Sequence, residues 1–246
     1  MDHARYLDLI RADSDRLLAV ARRSPDDAVP SCPGWTNRDL VRHVGEVYDH
    51  KILCMRLGRD PQSAERAPRP ADDAALAAWF TSLRDALLDQ LVVRGPGASS
   101  HTWFPPDRTV GFWYRRMAHE TAVHRVDAEL ACGQETPVDP RLAADGVDEL
   151  VGFLTYDFGD RSEQQQGVGL TVELECDGRR WAVTLREDRV ERAARGTTPD
   201  ARIDGEPGDL LLHLWGRRQA DKGSLRSSGD VAALAGLWSR LREETR

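Results

Sequence analysis

Three residues have the types and spacing to hold a metal ion: His43, Glu120 and His124. Glu120 and His124 are four apart, so on a helix their tips can aim at one point. Each lies in a column of +3/+4 steps: Leu40, His43, Val47, His50 and Cys54 in one segment, and Trp113, Met117, Glu120, His124 and Ala128 in another. The outer members of both columns are mostly apolar, so both faces should turn toward a helical core. A carboxylate there is unfavourable unless it is paired or coordinates a metal. Two imidazoles and a carboxylate form the three-protein-ligand set of an open zinc or ferrous site, with positions left for water or substrate. The plainer alternatives stay open at this point: an inward histidine hydrogen-bonded in a core, and Glu120 with His124 as a surface i,i+4 pair. The zincin pattern HExxH, begun by His119 and Glu120, fails because position 123 is Val.

The elements that must carry these residues follow from periodicity. Tyr6, Ile10, Leu17 and Ala21 recur at helical spacing and predict a first helix from Asp2 to Arg23. After a proline-containing loop, Thr36 opens a second helix with Asp39 as its capping-box partner, and Gly58 stops it after Leu57. Pro61 to Pro70 forms a polar linker, and a third helix spans roughly Asp72 to Val92. The loop Gly95 to Thr109 carries Trp103 and Phe104, a fourth helix runs from near Val110 to before Gly133, and a fifth from Pro140 to about Tyr156. Beyond Gly159 the period becomes two. Leu170, Val172, Leu174 and Cys176, then Trp181, Val183 and Leu185, flank an Asp177–Gly178 turn and predict a hairpin. Further strands are expected at 190–193 and 201–204, and helices at Pro207 to Arg218 and Asp230 to Glu244. The expected class is α+β, with a helical domain over 1–155 and a small domain of antiparallel sheet and helices over 156–246.

Composition narrows the partners. In 246 residues the formal charge is −7, which disfavours nucleic acid or an anionic membrane as main partner. No apolar run approaches the roughly 20 residues of a membrane span, and the polar start of the chain does not resemble a signal peptide. The expected location is cytoplasmic, and the scattered Cys32, Cys54, Cys132 and Cys176 suit free thiols there. Lys51 and Lys222 are the only lysines, an arginine skew that points to a high-GC genome.

Three segments also resemble a known family. PGWTNRDLVRHV (Pro33 to Val44), RMAHETAVHRVDAE (Arg116 to Glu129) and LLHLWGRR (Leu211 to Arg218) fall in the order of the mycothiol-dependent maleylpyruvate isomerases, a branch of the DinB-like superfamily. The resemblance implies a DinB-like four-helix bundle followed by the family's C-terminal domain. It implies a divalent metal, zinc above all, on His43, Glu120 and His124, where the wider superfamily more often has three histidines. It implies mycothiol, a thiol of actinobacteria, as cosubstrate: the thiolate adds to a cis double bond, the single bond rotates, and expulsion of the thiol leaves the trans isomer. Transfer of the thiol to an electrophile shares the first half of this course. An arginine near the third segment, Arg217 or Arg218, holds the substrate's carboxylates in the isomerase. A solvated helix end is the plain alternative for both.

Other residues fit less sharply. Asp127, one turn past His124, suits an acceptor that orients the imidazole or a solvated end of the column. His50 and Cys54 suit core or pocket wall, His119 a different helix face, and Trp103 and Phe104 core packing. Two further functions stay open: a metal-dependent hydrolase or lyase of a biosynthetic pathway, and a non-enzymatic small-molecule-binding protein, since the second domain looks similar to sterol-carrier-like folds. The partners expected are an electrophilic small molecule and a thiol, with the chain a monomer or homodimer.

Overall fold

The computed structural model describes residues 1–70, 72–159, 165–220 and 222–244. They form two compact units, Met1–Thr136 and Pro137–Arg246.

The first unit is built from α1 (His3–Arg23), α2 (Asn37–Leu57), α3 (Asp73–Arg94) and α4 (Val110–Ala131), with a short 3-10 turn at Ser63–Glu65. Side chains start three of the helices. Asp2 accepts from the Arg5 amide, Asp72 from the Ala75 amide, and Thr36 with Asp39 closes the expected capping box at α2. Gly58, at φ 67°, ends α2 in the left-handed conformation that glycine adopts without a Cβ penalty. α1 lies along α4 and α2 along α3, while α2 also packs on α4. Tyr48 meets Thr121 at 2.7 Å and His43 lies by Glu120 and His124, whereas Lys51 covers Trp113. Rising numbers on α2 thus meet falling numbers on α4, and the two run antiparallel. α4 is buried on nearly every side. At its C-terminal end the buried Glu129 gathers Arg16 (2.7 Å), Arg125 (2.8 Å) and the Thr136 amide (2.8 Å), tying α1 and the outgoing chain to α4.

The second unit holds α5 (Pro140–Leu154), β1 (Thr171–Cys176), β2 (Arg179–Leu185), β3 (Val190–Arg192), β4 (Ala201–Asp204), α6 (Pro207–Leu214), β5 (Arg226–Gly229) and α7 (Val231–Glu244). Its sheet has the order β3-β2-β1-β4-β5. Three corrections to the sequence expectation arise here. The sheet is mixed, because β4 returns beside β1 on the edge that β2 leaves free and runs parallel to it, Val172 facing Ala201 and Leu174 facing Ile203. The polar strand β5 extends that edge by pairing with β4 and has no apolar alternation to announce it. The chain divides after Thr136 and not at residue 155: α5 buries Leu142, Val147, Leu150 and Leu154, and packs on α6, α7 and β2. Val172, Leu174, Trp181, Val183, Leu185 and Ile203 supply the sheet's share of the core, with Leu211, Leu237 and Leu241 from α6 and α7. Among the described residues no helix is long and apolar enough to cross a membrane.

Candidate functional site

α2 and α4 bring His43, Glu120 and His124 together. His43 Nε2 lies 3.4 Å and His124 Nε2 3.3 Å from the same oxygen, Glu120 Oε1. The two imidazole rings meet edge to face at 4.9 Å. One ligand atom from each residue lies within 4.8 Å of the other two. Two donors each about 2.1 Å from a tetrahedral ion stand about 3.4 Å apart, so both nitrogen-to-oxygen spacings fit a divalent metal. His43 keeps 35% of its side chain exposed against 16% for Glu120 and 11% for His124, so the cluster opens to solvent on the α2 side.

Neighbouring groups set the orientation of each donor. Asp127 Oδ2 accepts the Nδ1–H of His124 at 2.9 Å, which fixes the tautomer and turns Nε2 toward Glu120. Asp127 is itself held by the Ser31 hydroxyl and approached by the Cys32 thiol at 3.8 Å, both from the loop before α2. That loop closes through Val29 N–H to Trp35 O at 2.9 Å, and the Trp35 ring then packs 4.9 Å from that of His43. On the far side Arg116 takes Glu120 Oε2 at 2.6 Å and leaves Oε1 for the imidazoles.

The electrostatics favour a cation. Burial alone would raise the Glu120 carboxyl, but hydrogen bonds from His124 and His43, with the nearby charges of His124 and Arg116, hold it well below the usual carboxylate range. Burial would lower His124, yet the bonds to Asp127 and Glu120 lift it to about 9. Two carboxylates thus converge on one imidazole, and the field that holds a proton there also suits a metal ion.

The remaining candidates lie elsewhere. His119 is fully buried, with its ring edge-on to Tyr6 of α1. Trp103 and Phe104 pack on Phe112 and on each other, Trp103 remaining 43% exposed. His50 and Cys54 form a second polar group with Lys51 and Asp60 further along α2. Arg217 and Arg218 lie in the second unit beyond the end of α6, which stops at Leu214, short of the expected Arg218, because Gly216 turns left-handed at φ 75°. Arg218 pairs with Asp209 at 3.0 Å, and Arg217 donates to the Trp215 carbonyl at 2.7 Å. Sequence reasoning passed over Arg116, Ser31 and Lys51. Only Arg116 carried a spacing signal, four residues before Glu120.

Comparison with known proteins gives two family matches. The family described as mycothiol maleylpyruvate isomerase N-terminal domain matches residues 7–129, and the MDMPI C-terminal domain matches residues 141–236. The gap between them brackets the divide after Thr136. A crystal structure of the mycothiol-dependent maleylpyruvate isomerase is 14% identical, covering 94% of this chain and 95% of that one, with a TM-score of 0.49. A histidine-to-alanine mutant of the same enzyme is 15% identical over 94% and 95%, with a TM-score of 0.48. A UbiJ-SCP2 ubiquinone synthesis protein is 14% identical over 42% of this chain and 96% of its own, with a TM-score of 0.30. Among curated proteins no sequence match is found.

Proposed function

Since the chain belongs to the mycothiol maleylpyruvate isomerase family, we propose that it is a metal- and mycothiol-dependent enzyme acting on an electrophilic, unsaturated small molecule. The reaction we assign is cis-trans isomerisation: a thiol adds to the double bond, the resulting single bond rotates, and loss of the thiol restores the double bond. Thiol transfer to an electrophile is the same course halted after addition.

The observation that carries this reading is the convergence of His43 Nε2 and His124 Nε2 on Glu120 Oε1. These three residues would hold the ion, and zinc best suits two imidazoles and one carboxylate with a position left open. A divalent ion there supplies a Lewis acid that favours the thiolate form of a thiol at neutral pH. The chain's own residues do the rest. Asp127 keeps His124 in one tautomer, Arg116 keeps the Glu120 carboxylate from rotating, and the exposed edge of His43 marks the side open to reactants. For the substrate's carboxylates, Arg217 and Arg218 offer the planar guanidinium that pairs with carboxylate in bidentate fashion.

The test is metal analysis of the purified chain beside His43→Ala, Glu120→Ala and His124→Ala, followed by assays with maleylpyruvate, with and without mycothiol. One equivalent of metal in the parent, its loss in the variants and thiol-dependent turnover are expected. Retention of metal by all three variants sinks the site, and turnover without thiol sinks the thiol role.

A further inference from the structure

Lys51 is one of only two lysines in the chain, and it lies in the seam of α2 and α4 two turns past His43. Lysines this enclosed are normally paired with a carboxylate. Among the described residues none pairs with it. Its contacts are instead the neutral acceptor His50 Nδ1, at 3.1 Å, and the face of Trp113, 5.0 Å from ammonium to ring centre.

Both contacts are themselves held in place. Asp60 Oδ1 lies 3.0 Å from His50 Nε2 and accepts its proton, so Nδ1 presents a lone pair, shared by Lys51 and the Cys54 thiol at 3.4 Å. Trp113 is anchored by its indole N–H to Ser100 Oγ at 2.9 Å and to the His101 carbonyl at 3.1 Å. Burial of the ammonium lowers its pKa, and the Glu120, Arg116 and Arg66 charges also act on it, so it shares surroundings with the three-donor cluster. Arg116 pairs with Glu120, Arg66 bonds the Glu46 carbonyl, and the Asp60 carboxylate faces His50 Nε2 and not the ammonium. His50, Cys54 and Asp60 also lie within metal-ligand reach of one another, but the ammonium against Nδ1 repels a cation there. The Lys51 ammonium is held by neutral partners, with donors left over for an anion.

We propose that Lys51 is a carboxylate anchor: its ammonium, pinned by His50 and Trp113, takes one carboxylate of a small dicarboxylate whose unsaturated carbon lies at His43, Glu120 and His124. An ammonium has three donors, and His50 takes one. The eight-residue step from His43 to Lys51 is about 12 Å of helix rise, part of which the long, flexible Lys51 stem can span. A ligand a few carbons long matches the remaining span. The proposal rests on the isomerase reading for its choice of a dicarboxylate.

Calorimetric titration of the zinc-loaded full chain with maleate, and with its monoamide maleamate, tests it. Lys51→Met should weaken maleate binding about 10- to 100-fold, Lys51→Arg should restore part of the loss, and the effect on maleamate should be smaller. Zinc content and melting temperature verify that the Met variant is folded; if it is not, Lys51→Gln takes its place. Equal maleate affinity in the parent and the neutral variant overturns the anchor, as does a parent that ignores millimolar maleate. The two readings fail separately. Lys51-dependent maleate binding without turnover of maleylpyruvate leaves the anchor and removes the isomerase. Turnover with Lys51-independent binding does the reverse.

Discussion

His124 and Asp127 stand one turn apart on α4, and the 2.9 Å bond from Nδ1–H to Oδ2 turns the opposite ring nitrogen toward Glu120. Asp127 is fully buried and tied by Ser31 to the loop that precedes α2. An imidazole on one helix is therefore oriented by a carboxylate that the other helix's lead-in loop secures. Removing that carboxylate should leave the three donors present and the imidazole free to turn. Asp127→Ala is expected to lower zinc affinity about 10- to 100-fold, read by chelator competition. Unchanged affinity would show that Asp127 has no orienting role.

Glu129, five residues past His124, closes the same segment and does a different task. It is fully buried and neutralises Arg125, itself buried, while also taking Arg16 and Thr136. Glu129→Ala leaves the buried Arg125 with Asp13 alone, at 3.1 Å, and deprives Arg16 and Thr136 of their shared acceptor, so it should destabilise the fold by about 1–3 kcal/mol, seen as a lower denaturation midpoint, with one equivalent of zinc still bound under native conditions.

His50 makes stability depend on pH in a defined window. Burial, with Lys51 and Arg66, brings its folded pKa to about 4, against 6.5 for a free imidazole. Between those values the unfolded chain holds more protons than the folded one, so stability rises with pH. The contribution is complete above about 6.5 and is lost as the pH falls toward 4. His50→Gln should flatten the melting-temperature profile across that window. Parallel profiles for parent and variant would count against the assignment.

Gly45 sits on α2 two residues after His43, and a Cβ there would run into the Trp79 ring of α3. Glycine is otherwise unfavourable inside a helix, so close approach of α2 and α3 is its reason for being there. Gly45→Ala should destabilise by about 1–3 kcal/mol through overpacking, measured by denaturant titration. A gain in stability, the usual result of glycine to alanine in a helix, would contradict the packing.

Much of this protein is legible in its residues alone, because local rules act over a few positions. The Thr36–Asp39 box, Gly58 as a stop, the alternation at 170–185 and the ExxxH step of Glu120 and His124 each specify an element or a shared face without knowledge of what lies opposite. The candidate donors were found that way, and the family segments assigned them a shared task.

Tertiary structure decided whatever depends on which surfaces meet. α5 has an apolar stripe that would serve either unit, and only packing assigned it to α6, α7 and the sheet. Strand direction is absent from an alternating pattern, so the parallel β1–β4 pair had to come from the path of the chain. The antiparallel contact of α2 and α4 brought His43 within 3.4 Å of Glu120. It also left Lys51 on an indole face with, among the described residues, no carboxylate paired to it. Sequence spacing determines which side chains share a helix face; only the docking of one face on another determines whether a charge finds its partner.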